Sequence, residues 1–116
     1  MQRKSSNSVR IYYPRLTREE VVKTLKEKAK RLNQILPLKE AYLIGSYAKG
    51  NYTAASDIDL LIVYKGKDPD AYRKAYTALR IPGLQLLTYS CSKYRQMKRE
   101  NPASVRMLLN NAVKLL

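Results

Sequence analysis

Two carboxylates stand at the mouth of a near-continuous apolar run, Asp57-Ile58-Asp59-Leu60-Leu61-Ile62-Val63, and this run constrains the fold more than any other segment. So unbroken an aliphatic stretch fits a central strand covered on both faces. Side chains at i and i+2 of a strand share a face, so Asp57 and Asp59 point one way and Ile58 the other. Two like charges that close repel unless something positive lies between them. A divalent cation answers this, because Mg²⁺ favours carboxylate oxygen and keeps positions open for water and phosphate. A loop leading into an acid-capped strand would also give the Asp pair alone. That plainer reading leaves unexplained the turn Gly45-Ser46, which ends a second apolar segment, Ala41-Tyr42-Leu43-Ile44.

Around these segments, strands and helices alternate. Arg10-Ile11-Tyr12-Tyr13 is compatible with a short edge strand, after a polar, basic start to the chain. Thr17-Arg18-Glu19-Glu20 reads as a capping box for a helix to about Ile35 that buries Val21, Val22, Leu25, Ala29, Leu32 and Ile35. Strand one is expected at residues 40–44, a helical turn at Tyr47-Ala48-Lys49 and strand two at residues 57–64. Asp68-Pro69 should open a helix to Leu79, with Asp68 as its cap. Strand three follows at residues 84–89, then helices at 92–100 and 102–110 and a short apolar tail. The expected fold class is α/β, a small mixed sheet packed against helices. Residues 1–13 form a basic N-terminal segment and 14–116 a single domain.

The whole pattern Ala41-Tyr42-Leu43-Ile44-Gly45-Ser46-Tyr47-Ala48-Lys49-Gly50, then Ser56-Asp57-Ile58-Asp59-Leu60-Leu61-Ile62-Val63, resembles the signature of the DNA polymerase beta-like nucleotidyltransferase superfamily. Within it the chain resembles the small minimal nucleotidyltransferases of bacteria and archaea. The match is close over these segments and only topological elsewhere. The resemblance implies Mg²⁺ or Mn²⁺ on Asp57 and Asp59, which would be the catalytic carboxylates, and an NTP, with ATP the expected donor. Nucleotide would be held by Gly45, Ser46, Lys49 and Ser56. Glycine lets backbone approach a phosphate closely, while Ser46 offers its Oγ–H and its N–H. An ordinary strand-ending turn is the alternative for Gly45-Ser46, and a solvated loop lysine is the alternative for Lys49.

One position departs from the family pattern. The superfamily's third carboxylate lies on strand three, where this chain has Gly83-Leu84-Gln85-Leu86-Leu87-Thr88-Tyr89, with Gln85 best aligned. A glutamine brings no negative charge and cannot serve as a base, so transfer should be weaker than nucleotide binding. Glu40 and Tyr89 are the remote substitutes.

Composition narrows the chemistry. The chain has no histidine, so a Cys-His site is impossible and acid–base or metal chemistry must rest on Asp, Glu, Lys or Tyr. Its single cysteine, Cys91, allows no internal disulfide and fits a reducing cytoplasm. No stretch reaches the roughly 20 apolar residues of a membrane span, and the basic start has no apolar core of a secretory signal. A formal charge of +14 implies a polyanionic or acidic partner, or simply solvated helix surfaces.

Three functions remain open. The first is an active metal-dependent nucleotidyltransferase acting on an acceptor hydroxyl. A second, implied by the resemblance, is a partner-binding antitoxin of a HEPN-family ribonuclease toxin or a degenerate nucleotide-binding module, with such a partner or a homodimer completing an acceptor cleft. The third is RNA binding through Lys93, Arg95, Lys98 and Arg99.

Overall fold

A computed structural model describes residues 17–51 and 57–116 of the protein. The basic N-terminal segment, the strand expected at Arg10–Tyr13 and Ser56 lie outside the described residues.

Helix α1 (Arg18–Ile35) begins at the expected capping box: Glu20 N–H donates to Thr17 Oγ1 at 3.1 Å and Thr17 N–H to Glu20 Oε1 at 3.0 Å. These two bonds satisfy amides that the first turn cannot pair internally. Val21, Leu25, Ala29 and Leu32 recur at helical spacing and are buried. Ile35 does not join them: it is 56% exposed, while Leu36 is 1% exposed. The chain leaves the helix at Leu36 with extended backbone, which turns that side chain inward in place of its neighbour.

The sheet contains β1 (Leu38–Ile44), β2 (Ile58–Tyr64), β3 (Leu84–Ser90) and β4 (Val113–Lys114), in the order β3-β2-β1-β4. β1 runs antiparallel to both β2 and β4, and β2 runs parallel to β3. The parallel pair needs a crossover, supplied by α3 (Ala71–Leu79). β1 is joined to β2 through the five-residue α2 (Gly45–Lys49), and α4 (Cys91–Glu100) and α5 (Pro102–Leu108) lie between β3 and β4. The fold class is therefore the mixed α/β one expected. β4 comes from the segment read as an apolar tail: two residues are too few for a periodic signal, and Val113 pairs with Leu43.

Strand alternation divides the core in two. Ile58, Leu60 and Ile62 of β2 pack with α1 and α3 through Leu25, Leu32, Ala75 and Leu79. Leu61 and Val63 face the other way, onto Tyr94 of α4 and Val105 of α5. β2 is thus covered on both faces, which accounts for its continuous apolar run.

The opening of α3 differs from expectation. The helix starts at Ala71, after Asp70 rather than Asp68. Asp68 acts earlier, its Oδ1 accepting from Asp70 N–H at 2.9 Å and its Oδ2 from Lys74 Nζ at 2.7 Å. An Asx turn therefore precedes the helix and does the work of a cap.

Candidate active site

The carboxylates lie at one end of the second sheet face. Asp59 is in β2, paired with Ile44 of β1 on one side and Gln85 of β3 on the other. Asp57 lies just before β2 and is exposed. With Ile58 buried in the opposite face, the i, i+2 alternation puts both acids on the α4–α5 side of the sheet. Those helices cover Leu61 and Val63 but leave the acidic end open, where Gln85 is exposed and Leu87 is 36% exposed. A cavity of about 260 Å³ lies there, lined by Ile44, Asp59, Gln85, Leu86 and Leu87.

Partial burial, and then the charge of Asp57 beside it, hold the Asp59 carboxyl above the ordinary carboxylate range. Both causes disfavour a second negative charge at this corner.

Gly45 ends β1 at φ +74, a left-handed conformation that L side chains rarely adopt. It lies against Asp59: a Cβ added there would overlap Asp59 Oδ2. Ser46 follows, half-buried in the first turn of α2. Tyr47 and Ala48 bury into the α1 side of the core, and Arg18 Nε donates to the Ala48 carbonyl at 3.1 Å, tying the turn to α1. Lys49 ends α2 and is exposed. The structure thus brings Gly45, Asp57, Asp59 and Gln85 together, with Ser46 adjacent.

Neither remote substitute for a third carboxylate reaches this corner. Glu40 and Tyr89 both pair with Val63, towards the other end of β2 from Asp59. Glu40 instead accepts from Tyr42 Oη at 2.7 Å. Gln85 of β3 pairs with Asp59, and its Nε2 lies 3.5 Å from Asp57 Oδ2. Among the described residues, no group of three or more Asp, Glu, Cys or His could hold a metal ion by itself.

One residue of the corner is missed by sequence reasoning. Gly83, given no role in the sequence analysis, stands beside Asp57, and a Cβ on it would lie 3.2 Å from Asp57 Oδ1. Its spacing carries the signal: Gly83 stands just before β3 and two residues from Gln85, as Asp57 stands just before β2 and two residues from Asp59.

A family model for the nucleotidyltransferase domain matches residues 22–114. Among solved structures, a Sulfolobus solfataricus protein described as a nucleotidyltransferase is 19% identical with a TM-score of 0.57, over 96% of this chain and 87% of its own. A toxin–antitoxin structure with AMP-PNP is 20% identical with a TM-score of 0.49, over 78% of this chain and 72% of its own. At such identity the first of these likenesses shows the fold. No curated protein matches the chain.

Proposed function

We propose, from the premise that this chain belongs to the nucleotidyltransferase domain family, that its acidic corner binds a nucleoside triphosphate, expected to be ATP, with Mg²⁺ or Mn²⁺. It then passes the nucleoside monophosphate slowly to an acceptor hydroxyl. The observation that carries this reading is the convergence of Gly45, Asp57 and Asp59 at one open sheet end.

The residues suit such a cation. Asp59 is raised by partial burial first and by the Asp57 charge second, and a positive ion between the two carboxylates would offset the second of these. Mg²⁺ typically takes one or two protein carboxylates and fills its shell with water and phosphate. Two acids without a larger cage match that habit. When bound, the ion would supply positive charge to the phosphate oxygens.

In the transfer, the acceptor oxygen forms a bond to the α-phosphorus, the bond from that phosphorus to the bridging β-phosphate oxygen breaks, and pyrophosphate leaves. The acceptor proton passes to solvent, since Gln85 is no base. Gly45 keeps the strand end free of a side chain, so the triphosphate and Asp59 can approach the same backbone. Ser46 offers a hydroxyl and an amide to phosphate oxygens, with Lys49 as added positive charge. Arg18, through the Ala48 carbonyl, holds this turn in place.

Titration calorimetry of ATP into the protein, with and without Mg²⁺, tests the reading. Mg²⁺-dependent binding should be present in the wild type and lost in Asp59→Asn. Equal binding by both proteins would sink it.

Gln85 favours a second reading, in which nucleotide binds without turnover and the chain serves a partner such as a HEPN-family toxin or a second copy. Mg·ATP binding with no pyrophosphate release, together with a protein that co-purifies from the native host, would select it. A stable lone monomer would count against it.

A further inference from the structure

We infer that β3, in place of a third ligand, carries a holder for Asp57: Gly83 and Gln85 are positioning residues that set the direction of its carboxylate. This rests on the reading of Asp57 and Asp59 as cation ligands.

Asp57 needs such a holder. It precedes the first ladder pair of β2 and β3, Ile58 with Leu84, so sheet hydrogen bonding does not fix it as it fixes Asp59. Extending the parallel register by one position sets Gly83 opposite Asp57, and the alternation puts Gln85 on the same face. Each carboxylate oxygen of Asp57 then meets one β3 residue. Oδ1 lies over Gly83, where an added Cβ would sit at only 3.2 Å, and Oδ2 has the Gln85 amide nitrogen at 3.5 Å. That separation is long for a hydrogen bond. It is a direction rather than a clamp, and a shift of a few tenths of an ångström would close it.

Charge explains why an amide suits this place. An acid at position 85 would put a third negative charge opposite Asp59 and beside Asp57. The Gln85 amide carries no charge and its N–H donates to a carboxylate, so it orients Asp57 without adding to the repulsion. Gly83 is special for its neighbour and not merely for its backbone. Gly66 has a similar φ, +75 against +71, yet an added Cβ at Gly66 meets nothing within 4 Å.

Mn²⁺ titration followed by the paramagnetic resonance signal of the free ion tests this in the full chain, without ATP. The proteins are wild type, Gly83→Ala, Gln85→Leu and, as a control for left-handed strain, Gly66→Ala. Outer-shell partners of metal ligands are worth roughly 10–100-fold in metal affinity. Gly83→Ala and Gln85→Leu should each weaken Mn²⁺ binding about tenfold, towards the lower end of that range, with Gly66→Ala unchanged. If Gly83→Ala does not fold, Gln85→Leu decides alone, because its exposed side chain leaves the backbone as it is. Wild-type affinity in both site variants overturns the holder while leaving the cation site intact. A wild type that takes up no Mn²⁺ overturns the cation site itself, and the holder with it.

Discussion

Gly45 and Asp59 share one space: a methyl group on Gly45 would overlap Asp59 Oδ2 and lie 3.1 Å from its Cγ. The pairing of Ile44 with Asp59 creates this contact by carrying the end of β1 past the carboxylate. Glycine is therefore required twice here, by the left-handed backbone and by its neighbour. Gly45→Ala should destabilise the fold by about 2–3 kcal/mol, strain plus a displaced carboxylate, and abolish Mg²⁺-dependent ATP binding. Gly50→Ala, at φ +84 with no atom of the described residues within 4 Å of an added Cβ, should carry strain alone, about 1 kcal/mol, and keep that binding. Thermal unfolding with calorimetric titration of both variants separates the two causes.

Asp59 opposes folding at neutral pH in the cation-free protein. Its carboxyl is raised, by burial first and then by Asp57, so the folded chain binds this proton more tightly than the unfolded one. The contribution of this group is therefore favourable below the ordinary carboxylate range and is lost as pH rises through the raised value. Solvent screening at an open corner keeps the effect to about 0.5 kcal/mol. Asp59→Asn should raise Tm at pH 7 by about 2 °C, with the gap closing near pH 3. Added Mg²⁺ should raise the wild-type Tm and leave the variant unmoved. Scanning calorimetry in chelator and in Mg²⁺ reads both effects.

Gln85→Asp should restore the charge the corner lacks. With three acids facing the donor, pyrophosphate release in saturating Mg²⁺ and ATP should rise at least about tenfold. In chelator the same variant should be less stable than the wild type. A coupled pyrophosphate assay beside thermal unfolding checks this, and a stable but equally slow variant would refute it.

The exit from α1 predicts an asymmetry between adjacent residues. Leu36→Ala, removing a side chain that is 1% exposed, should cost about 2–4 kcal/mol. Ile35→Ala, at 56% exposed, should stay within about 0.5 kcal/mol. Urea unfolding of the two variants measures the difference.

Most of the candidate site is legible in the sequence because its signals are local. Gly45, Asp57 and Asp59 each announce themselves by residue type and by position at a strand end, and Thr17 with Glu20 does the same for α1. What escapes the sequence is relational. Gly83 looks like any turn glycine until the parallel register of β2 and β3 sets it against Asp57. Ile35 fits the helical period as well as Leu32 does, and only the extended backbone at Leu36 decides which neighbour turns inward. Glu40 is set at the far end of strand one by the sequence itself, whereas Tyr89 is placed away from Asp59 only by its pairing with Val63. β4 has no signature because two residues take their strand character from the partner they meet.

That partner gives the order of assembly a direction. Val113 and Lys114 pair with Leu43 and Tyr42 on the outer edge of β1, with Leu115 N–H donating to the Ala41 carbonyl at 2.8 Å. A chain without these residues would leave that strand edge open beside the β1–β2 pair, the kind of surface that invites pairing with another chain. The contact that seals it joins positions far apart in sequence, so it forms late and at high entropic cost. A variant cut after Ala112 should therefore self-associate more readily than one that keeps Val113 to Leu115, as sedimentation would show.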